Sequence, residues 1–329
     1  MFHRGIVIGK FYPPHRGHKY LIDTARSQCE QLTVIVCWKK SQFISGVERA
    51  RWIQEIHPDV QVKLLDDDRL ADDDSEGWAK NTLDVLGFTP DAVFTSESYG
   101  DPYASFMGCV HVLVDKARTY IPISATIVRS DPTKYAQFLE PCVRASFARR
   151  VCILGAESTG TTTLSKDLAK HYKTTWVPEY GRLYSEGKMF GDENAAWRTD
   201  EFIKIAKAQG ILEDALAEAS NGLVICDTDA FATGVWHERY LGKRSAQVEA
   251  IAARRKYDLY ILTGDEIPFE QDGTRDGEHI RHDMQKRFVE RLTEDAKNYI
   301  IVSGNREERL QKAIAAIDAI QPMVVDNAK

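Results

Sequence analysis

Short runs of β-branched and other apolar residues recur in the first half of the chain, at 6–8, 32–37, 60–65, 92–95 and 110–114. Apolar residues at helical spacing fill the gaps at 17–28, 47–56 and 75–86. Strands that read as unbroken apolar runs, alternating with amphipathic helices, predict a parallel sheet covered on both faces. After Asp131-Pro132 the pattern predicts a closing helix through Tyr135, Phe138 and Leu139 to Val143. The series restarts behind Arg149-Arg150, with strands expected at 151–154, 174–177, 223–226, 259–263 and 299–303. Its helices are expected at 161–172, 198–219, 246–255, 284–296 and 306–320. Two such series predict an α/β protein of two doubly wound parallel-sheet domains, 1–147 and 148–329, with no Gly/Ser linker between them. Residues 264–282, polar and without periodicity, predict a long loop of the kind that serves as a lid in compact domains.

Composition narrows this picture. A length of 329 residues, 43% of them hydrophobic, is enough to build two cores. The net charge of -6 opposes a dedicated nucleic-acid surface, which needs clustered positive charge. No apolar run approaches membrane-spanning length, and the N-terminus enters a strand at once, without a signal peptide. The expectation is a cytoplasmic enzyme with small-molecule partners, no nucleic acid and no membrane insertion; a homo-oligomer is left open. Cys29, Cys37, Cys109, Cys142, Cys152 and Cys226 form no CxxC pair, so buried, reduced thiols are expected.

Two phosphate-handling signatures stand where a strand would turn into a helix. The first runs from Gly9 through Lys10, Phe11, Pro13 and Pro14 to His15, Gly17 and His18. The histidines are three apart at a helix start, so they share a face with the exposed N–H donors and the positive end of the dipole. Two imidazoles there suit a polyphosphate. The second, Gly155-Ala156-Glu157-Ser158-Thr159-Gly160-Thr161-Thr162, is a P-loop whose lysine position holds Thr161. Its backbone N–H groups would cradle phosphates and the Thr162 hydroxyl would bind Mg2+, but a cation is missing where charge is concentrated. Lys166 lies more than a turn deeper and is not expected to reach; Arg275 or Arg281 of the polar loop is the candidate replacement. Asp227, at the end of an apolar strand, stands where a magnesium-associated acid belongs. The stretch Glu179-Tyr180-Gly181-Arg182 puts an acid, an aromatic and a base in one loop.

The first signature resembles the nucleotidyltransferase superfamily, whose GxFxPxHxGH hallmark it matches. That family's second hallmark, SxTxxR, appears as Ser124-Ala125-Thr126-Ile127-Val128-Arg129. The resemblance implies a Rossmann-like adenylyltransferase in which Gly9, Lys10, Phe11, Ser124 and Thr126 bind ATP. His15 and His18 would hold the triphosphate, and Arg129 with Ser124 the leaving group. A substrate phosphate is already anionic, so no general base is required. The segment from Phe43 to Arg49 is similar to one in adenylyltransferases acting on nicotinamide mononucleotide, which implies that Arg49 positions a phosphate; Trp38, Trp78 and Tyr99 are candidates to stack on the nicotinamide.

Taken from Gly5 to about Ile320, the chain resembles the bifunctional ribosylnicotinamide kinase/nicotinamide-nucleotide adenylyltransferase (NadR-type) family. The resemblance rests on GKFYPPHRGH, SESYGD, ISATIVR, GAESTG, VPEYGR, CDTDA and EQDGTR. It implies that a C-terminal P-loop kinase phosphorylates ribosylnicotinamide and that the N-terminal half then joins the mononucleotide to an adenylyl group, giving NAD. In the kinase, Gly155, Ser158, Thr159, Gly160, Thr161, Thr162 and Arg275 would hold ATP, and Thr162 with Asp227 the Mg2+. A pyridinium substrate suits Glu179 with aromatic neighbours such as Tyr180 or Trp176, and Arg182 is a further substrate-binding candidate. Asp227 and Glu179 are rivals for the base that takes the 5′-hydroxyl proton. Two departures stand out. Enterobacterial members carry an N-terminal helix-turn-helix, whereas here the first strand begins at about Gly5. Thr161 leaves open an adenylyltransferase whose P-loop half only senses nucleotide.

Overall fold

A computed structural model describes residues 1–68, 71, 74–192, 195–271 and 278–320. The chain divides into two compact units, the first Met1–Phe147 and the second beginning at Ala148. Unit 1 runs β1 Phe2–Gly9, α1 Arg16–Arg26, β2 Cys29–Trp38, α2 Gly46–Ile56, β3 Gln61–Asp66, α3 Ser75–Leu86, β4 Ala92–Thr95, α4 Gly100–Met107, β5 Val110–Leu113, α5 Ala125–Ser130 and α6 Pro141–Phe147. Its five strands are all parallel, in the order β3-β2-β1-β4-β5. Alternation along β1 shows how both faces are covered: Val7 joins one buried cluster, while Ile6 and Ile8 join the cluster on the other side. The strand order reverses beside β1, and a ligand crevice is expected at such a point, at the strands' carboxyl ends.

Unit 2 repeats the plan with β6 Arg149–Leu154, α7 Thr161–Tyr172, β7 Thr175–Val177, α8 Tyr180–Met189, α9 Thr199–Ala219, β8 Leu223–Asp227, α10 Ala230–Leu241, α11 Ala246–Ala252, β9 Leu259–Thr263, α12 Arg281–Glu294, β10 Tyr299–Val302 and α13 Arg306–Asp318. These strands are also all parallel, in the order β10-β9-β6-β8-β7. The first strand is central, and Ile153 pairs with Asp227 on β8, which carries that carboxylate to the end of β6. The predicted fold of two doubly wound parallel sheets is what forms.

Several elements differ from the sequence pattern. The closing helix of unit 1 is broken: a 3-10 turn at Ala136–Phe138 ends in extended Leu139, and α6 starts at Pro141. The residue before a proline resists the α conformation, and proline suits a first helical position. α4, α5, α8 and α10 were not expected. In α10 the run Ala230 to Val235 is buried on all sides, so it carries no amphipathic stripe to read. All six cysteines are free thiols, five of them buried. Among the described residues no helix is long and apolar enough to cross a membrane.

Candidate active sites

In unit 1 the loop after Gly9 turns through Phe11, whose φ of 46° is left-handed. That turn buries the Phe11 ring, edge-on to His18 with centroids 5.0 Å apart. Phe11 therefore supports the histidine from below, and its side chain is not presented to a nucleotide. His15 is the N-cap of α1. Its Nδ1 accepts from the backbone N–H of Gly17 at 3.1 Å and of His18 at 3.4 Å, while His18 Nδ1 accepts from the N–H of His15 at 3.3 Å. The rings stack with centroids 3.8 Å apart.

Burial, with the nearby Arg118 cation, pushes His15 down to about 4, and burial with His15 and Arg118 pushes His18 well below the ordinary histidine value. Both imidazoles are thus neutral at physiological pH. Because each Nδ1 is already an acceptor, each proton sits on Nε2. The pair offers two Nε2–H donors beside a helix N-terminus, a suitable arrangement for phosphate oxygens.

The two hallmark motifs meet here. Arg129 Nη1 donates to the carbonyl of Tyr12 at 2.6 Å, with its guanidinium 4.9 Å from the Tyr12 ring centroid. Its Nη2 reaches Thr126 Oγ1 at 3.3 Å. Ser124 caps α5, its Oγ accepting from the N–H of Ile127. Lys10 is exposed, as is Tyr99. Arg118, from the β5–α5 loop, was missed in the sequence; its only signal there was a basic residue in a loop at a strand's carboxyl end. It pairs with Glu97 at 3.1 Å.

Arg49 requires a correction. It is fully buried. Its guanidinium donates to the carbonyls of Lys10 (2.5 Å), Cys37 (3.2 Å) and Ser45 (3.2 Å) and to Gln42 Oε1 (2.6 Å). With its hydrogen-bonding capacity turned inward, Arg49 fixes the Lys10–Tyr12 loop against α2 and cannot meet a substrate phosphate.

In unit 2 a cavity of about 550 Å³ opens at the P-loop. A Cβ on Gly155 would lie 2.4 Å from Thr263 Oγ1, and Gly160 takes a φ of 82°, so glycine is required at both turns. Gly155, Ser158, Gly160, Thr161 and Thr162 line the cavity. Thr159 does not: its buried hydroxyl donates to the Ala156 carbonyl at 2.7 Å and accepts from Thr263, bracing the loop from behind. Arg309 adds to that brace through the Thr159 carbonyl at 2.7 Å, and Arg281 through the Ser158 carbonyl at 3.0 Å. Arg281 is buried there, not poised to swing in. Arg275 lies outside the described residues.

Asp227, Glu179 and Arg182 share this cavity; among the described residues its wall includes Gly181 but not Tyr180. Burial pushes the Asp227 carboxyl up to about 6, against the Thr162 and Thr161 hydroxyls that hold it down. Burial, and next the Asp227 charge, push Glu179 up to about 8. Two neighbouring carboxyls are thereby separated, Asp227 mostly ionised and Glu179 mostly protonated near neutrality. Trp176, Trp197, Phe202, Trp236 and Tyr240 also line this cavity. Trp197 packs 5.1 Å from Phe202 and 5.5 Å from Tyr240. Only Trp176 was foreseen, since the others lie on separate elements that folding brings together. Lys166, expected to fall short, also lines the cavity.

Residues 6–131 match the cytidylyltransferase-like family and residues 150–309 the AAA domain family. The chain is 30% identical over 344 residues to the trifunctional NAD biosynthesis/regulator protein NadR of Escherichia coli (strain K12), covering 97% of this chain and 83% of that protein. To the protein of the same name from Salmonella typhimurium it is 31% identical over 322 residues, covering 91% and 78%. A crystal structure of NadR in complex with NAD and AMP-PNP superposes with a TM-score of 0.78 at 21% identity, over 100% of this chain and 98% of that one. One in complex with NR gives 0.79 at 21% identity, over 99% and 98%. By its sequence relationship to these proteins, the chain belongs to the NadR family.

Proposed function

We propose that unit 2 transfers the γ-phosphoryl group of ATP to the 5′-hydroxyl of ribosylnicotinamide, and that unit 1 then transfers an adenylyl group from a second ATP to the mononucleotide, giving NAD and pyrophosphate. The observation that carries this reading is the cavity in which the P-loop, Asp227 with Glu179, and an aromatic wall share one space. The P-loop end suits a triphosphate. The aromatic faces and a carboxyl suit a pyridinium cation. The NAD biosynthesis in the relatives' names and the NAD, AMP-PNP and NR in the related crystals support the assignment.

Asp227, the ionised carboxylate, is suited to take the hydroxyl proton. Protonated Glu179 is suited to donate to the ribose, and a bound cation would favour its ionisation. Mg2+ fits the Thr162 hydroxyl and Asp227, both hard oxygen donors; Asp227 Oδ1 is buried without a hydrogen-bond partner among the described residues. Among those residues no cluster of three His, Cys, Asp or Glu could hold a metal alone, which suits an ion that shares its shell with phosphates. Bound there, Mg2+ would neutralise charge on the β- and γ-phosphates. In unit 1 the Nε2–H groups of His15 and His18, with Arg129, would stabilise the triphosphate as pyrophosphate departs.

Thr161 favours a second reading, in which unit 2 binds nucleotide as a sensor and only adenylyl transfer occurs. Purified protein given ATP, Mg2+ and ribosylnicotinamide separates the two. NAD formation supports the two-step enzyme; NAD from the mononucleotide alone supports the sensor. No product from either substrate refutes both.

A further inference from the structure

A P-loop without its lysine leaves the γ-phosphate with backbone donors but no side-chain cation where charge develops. The cavity wall holds one in an unexpected place: Lys166, beside Thr162 and Asp227. Helix geometry explains the reach. Residues 162 and 166 are four apart and share a face of α7, and helical side chains lean toward the N-terminus. A lysine stem on that face can therefore run back along the turn separating it from Thr162. Its ammonium stands 4.5 Å from the centroid of the Trp176 ring, and its charge holds the Asp227 carboxyl down. Trp176 belongs to β7 and is fixed by a hydrogen bond from Nε1 to Ser165 Oγ at 3.0 Å. The guanidinium groups around the loop are otherwise engaged: Arg281 and Arg309 on P-loop carbonyls, Arg182 with Glu186 at 2.9 Å. An ammonium resting on an aromatic face, by contrast, can exchange that face for phosphate oxygens.

We propose that Lys166 replaces the missing P-loop lysine, its ammonium moving from Trp176 to the β- and γ-phosphate oxygens of a nucleoside triphosphate. This inference rests on reading unit 2 as a kinase. The full chain, Lys166→Met, Thr161→Lys and the double variant are compared in phosphorylation of ribosylnicotinamide with MgATP. Adenylyl transfer to the mononucleotide and the melting temperature serve as folding controls. Lys166→Met should lower kcat for phosphorylation roughly 100–1,000-fold with adenylyl transfer unchanged. Thr161→Lys should restore at least about tenfold in the double variant, because it puts a cation at the usual position. Phosphorylation by Lys166→Met within about threefold of the parent overturns the inference and leaves the kinase reading intact. So does a loss that Thr161→Lys does not repair. If Lys166→Met melts early, Lys166→Arg decides: retained phosphorylation supports the inference, and loss with normal melting overturns it. A parent chain that phosphorylates nothing refutes the kinase reading itself, and the inference with it.

Discussion

Replacing Arg49 by alanine removes a guanidinium that is fully buried and donates to three carbonyls and one side-chain amide oxygen. Of these acceptors the Cys37 carbonyl is the most deeply enclosed, whereas those of Lys10 and Gln42 lie nearer solvent and can take water instead. The guanidinium also stands 5.1 Å from the Tyr12 ring centroid, so its loss leaves a void beside the loop. An unsatisfied buried acceptor costs about 1–3 kcal/mol, and with partial rehydration the whole substitution should cost about 3–5 kcal/mol. At about 2–4 °C per kcal/mol for a unit of this size, its melting should fall by roughly 6–20 °C. Arg49→Lys should recover less than half of that, because one ammonium cannot span the same fork of acceptors. Calorimetry of the full chain gives the shift, and steady-state kinetics with nicotinamide mononucleotide give kcat and KM for adenylyl transfer. The structure requires the melting temperature and kcat to fall together. A melting temperature unchanged in Arg49→Ala, with KM for the mononucleotide raised about tenfold or more, would refute the positioning role and restore a substrate contact.

His18→Ala should cut adenylyl transfer roughly 100–1,000-fold while phosphorylation continues; loss of both rates would show that the sites are not independent. In the metal-free protein the Asp227 carboxyl should take up its proton as pH drops through about 6, followed by NMR of its carboxyl carbon, and added Mg2+ should lower that midpoint. A midpoint near the ordinary carboxylate value of 3.8 in the absence of Mg2+ would contradict the burial that raises this group. Glu179, raised from 4.5 to about 8, favours the folded state while protonated in it, so its contribution is complete below 4.5 and is lost as pH rises through 8. Glu179→Gln should therefore stabilise the protein by about 2–4 kcal/mol at alkaline pH and leave it nearly unchanged near pH 4, as measured by urea unfolding; equal stability at alkaline pH would contradict the burial of that charge.

What could be read from the sequence was whatever is encoded locally. Gly155 and Gly160 mark their turns by what a side chain would meet or what φ the chain must take, and the β1–α1 hallmark carries its own helix cap in His15. Residues whose surroundings arrive from afar were misread. Arg49 looks like an exposed arginine at a helix start until the carbonyls of Lys10 and Cys37 close over it. The aromatic wall draws Trp176 from β7, Phe202 from α9, Trp236 and Tyr240 from α10, and Trp197 from the chain just before α9, a grouping with no sequence spacing. α10 hid for the opposite reason, because burial on every side erases the period that betrays a helix. Lys166 is the instructive case, since the sequence sets it more than a turn beyond the P-loop while the fold brings its side chain to the same cavity wall. Counting turns measures backbone separation, at about 5.4 Å per turn. A lysine leaning toward the helix N-terminus can cover that distance with its own stem. The absence of a lysine at position 161 is therefore a statement about one residue, not about the charge available to the P-loop.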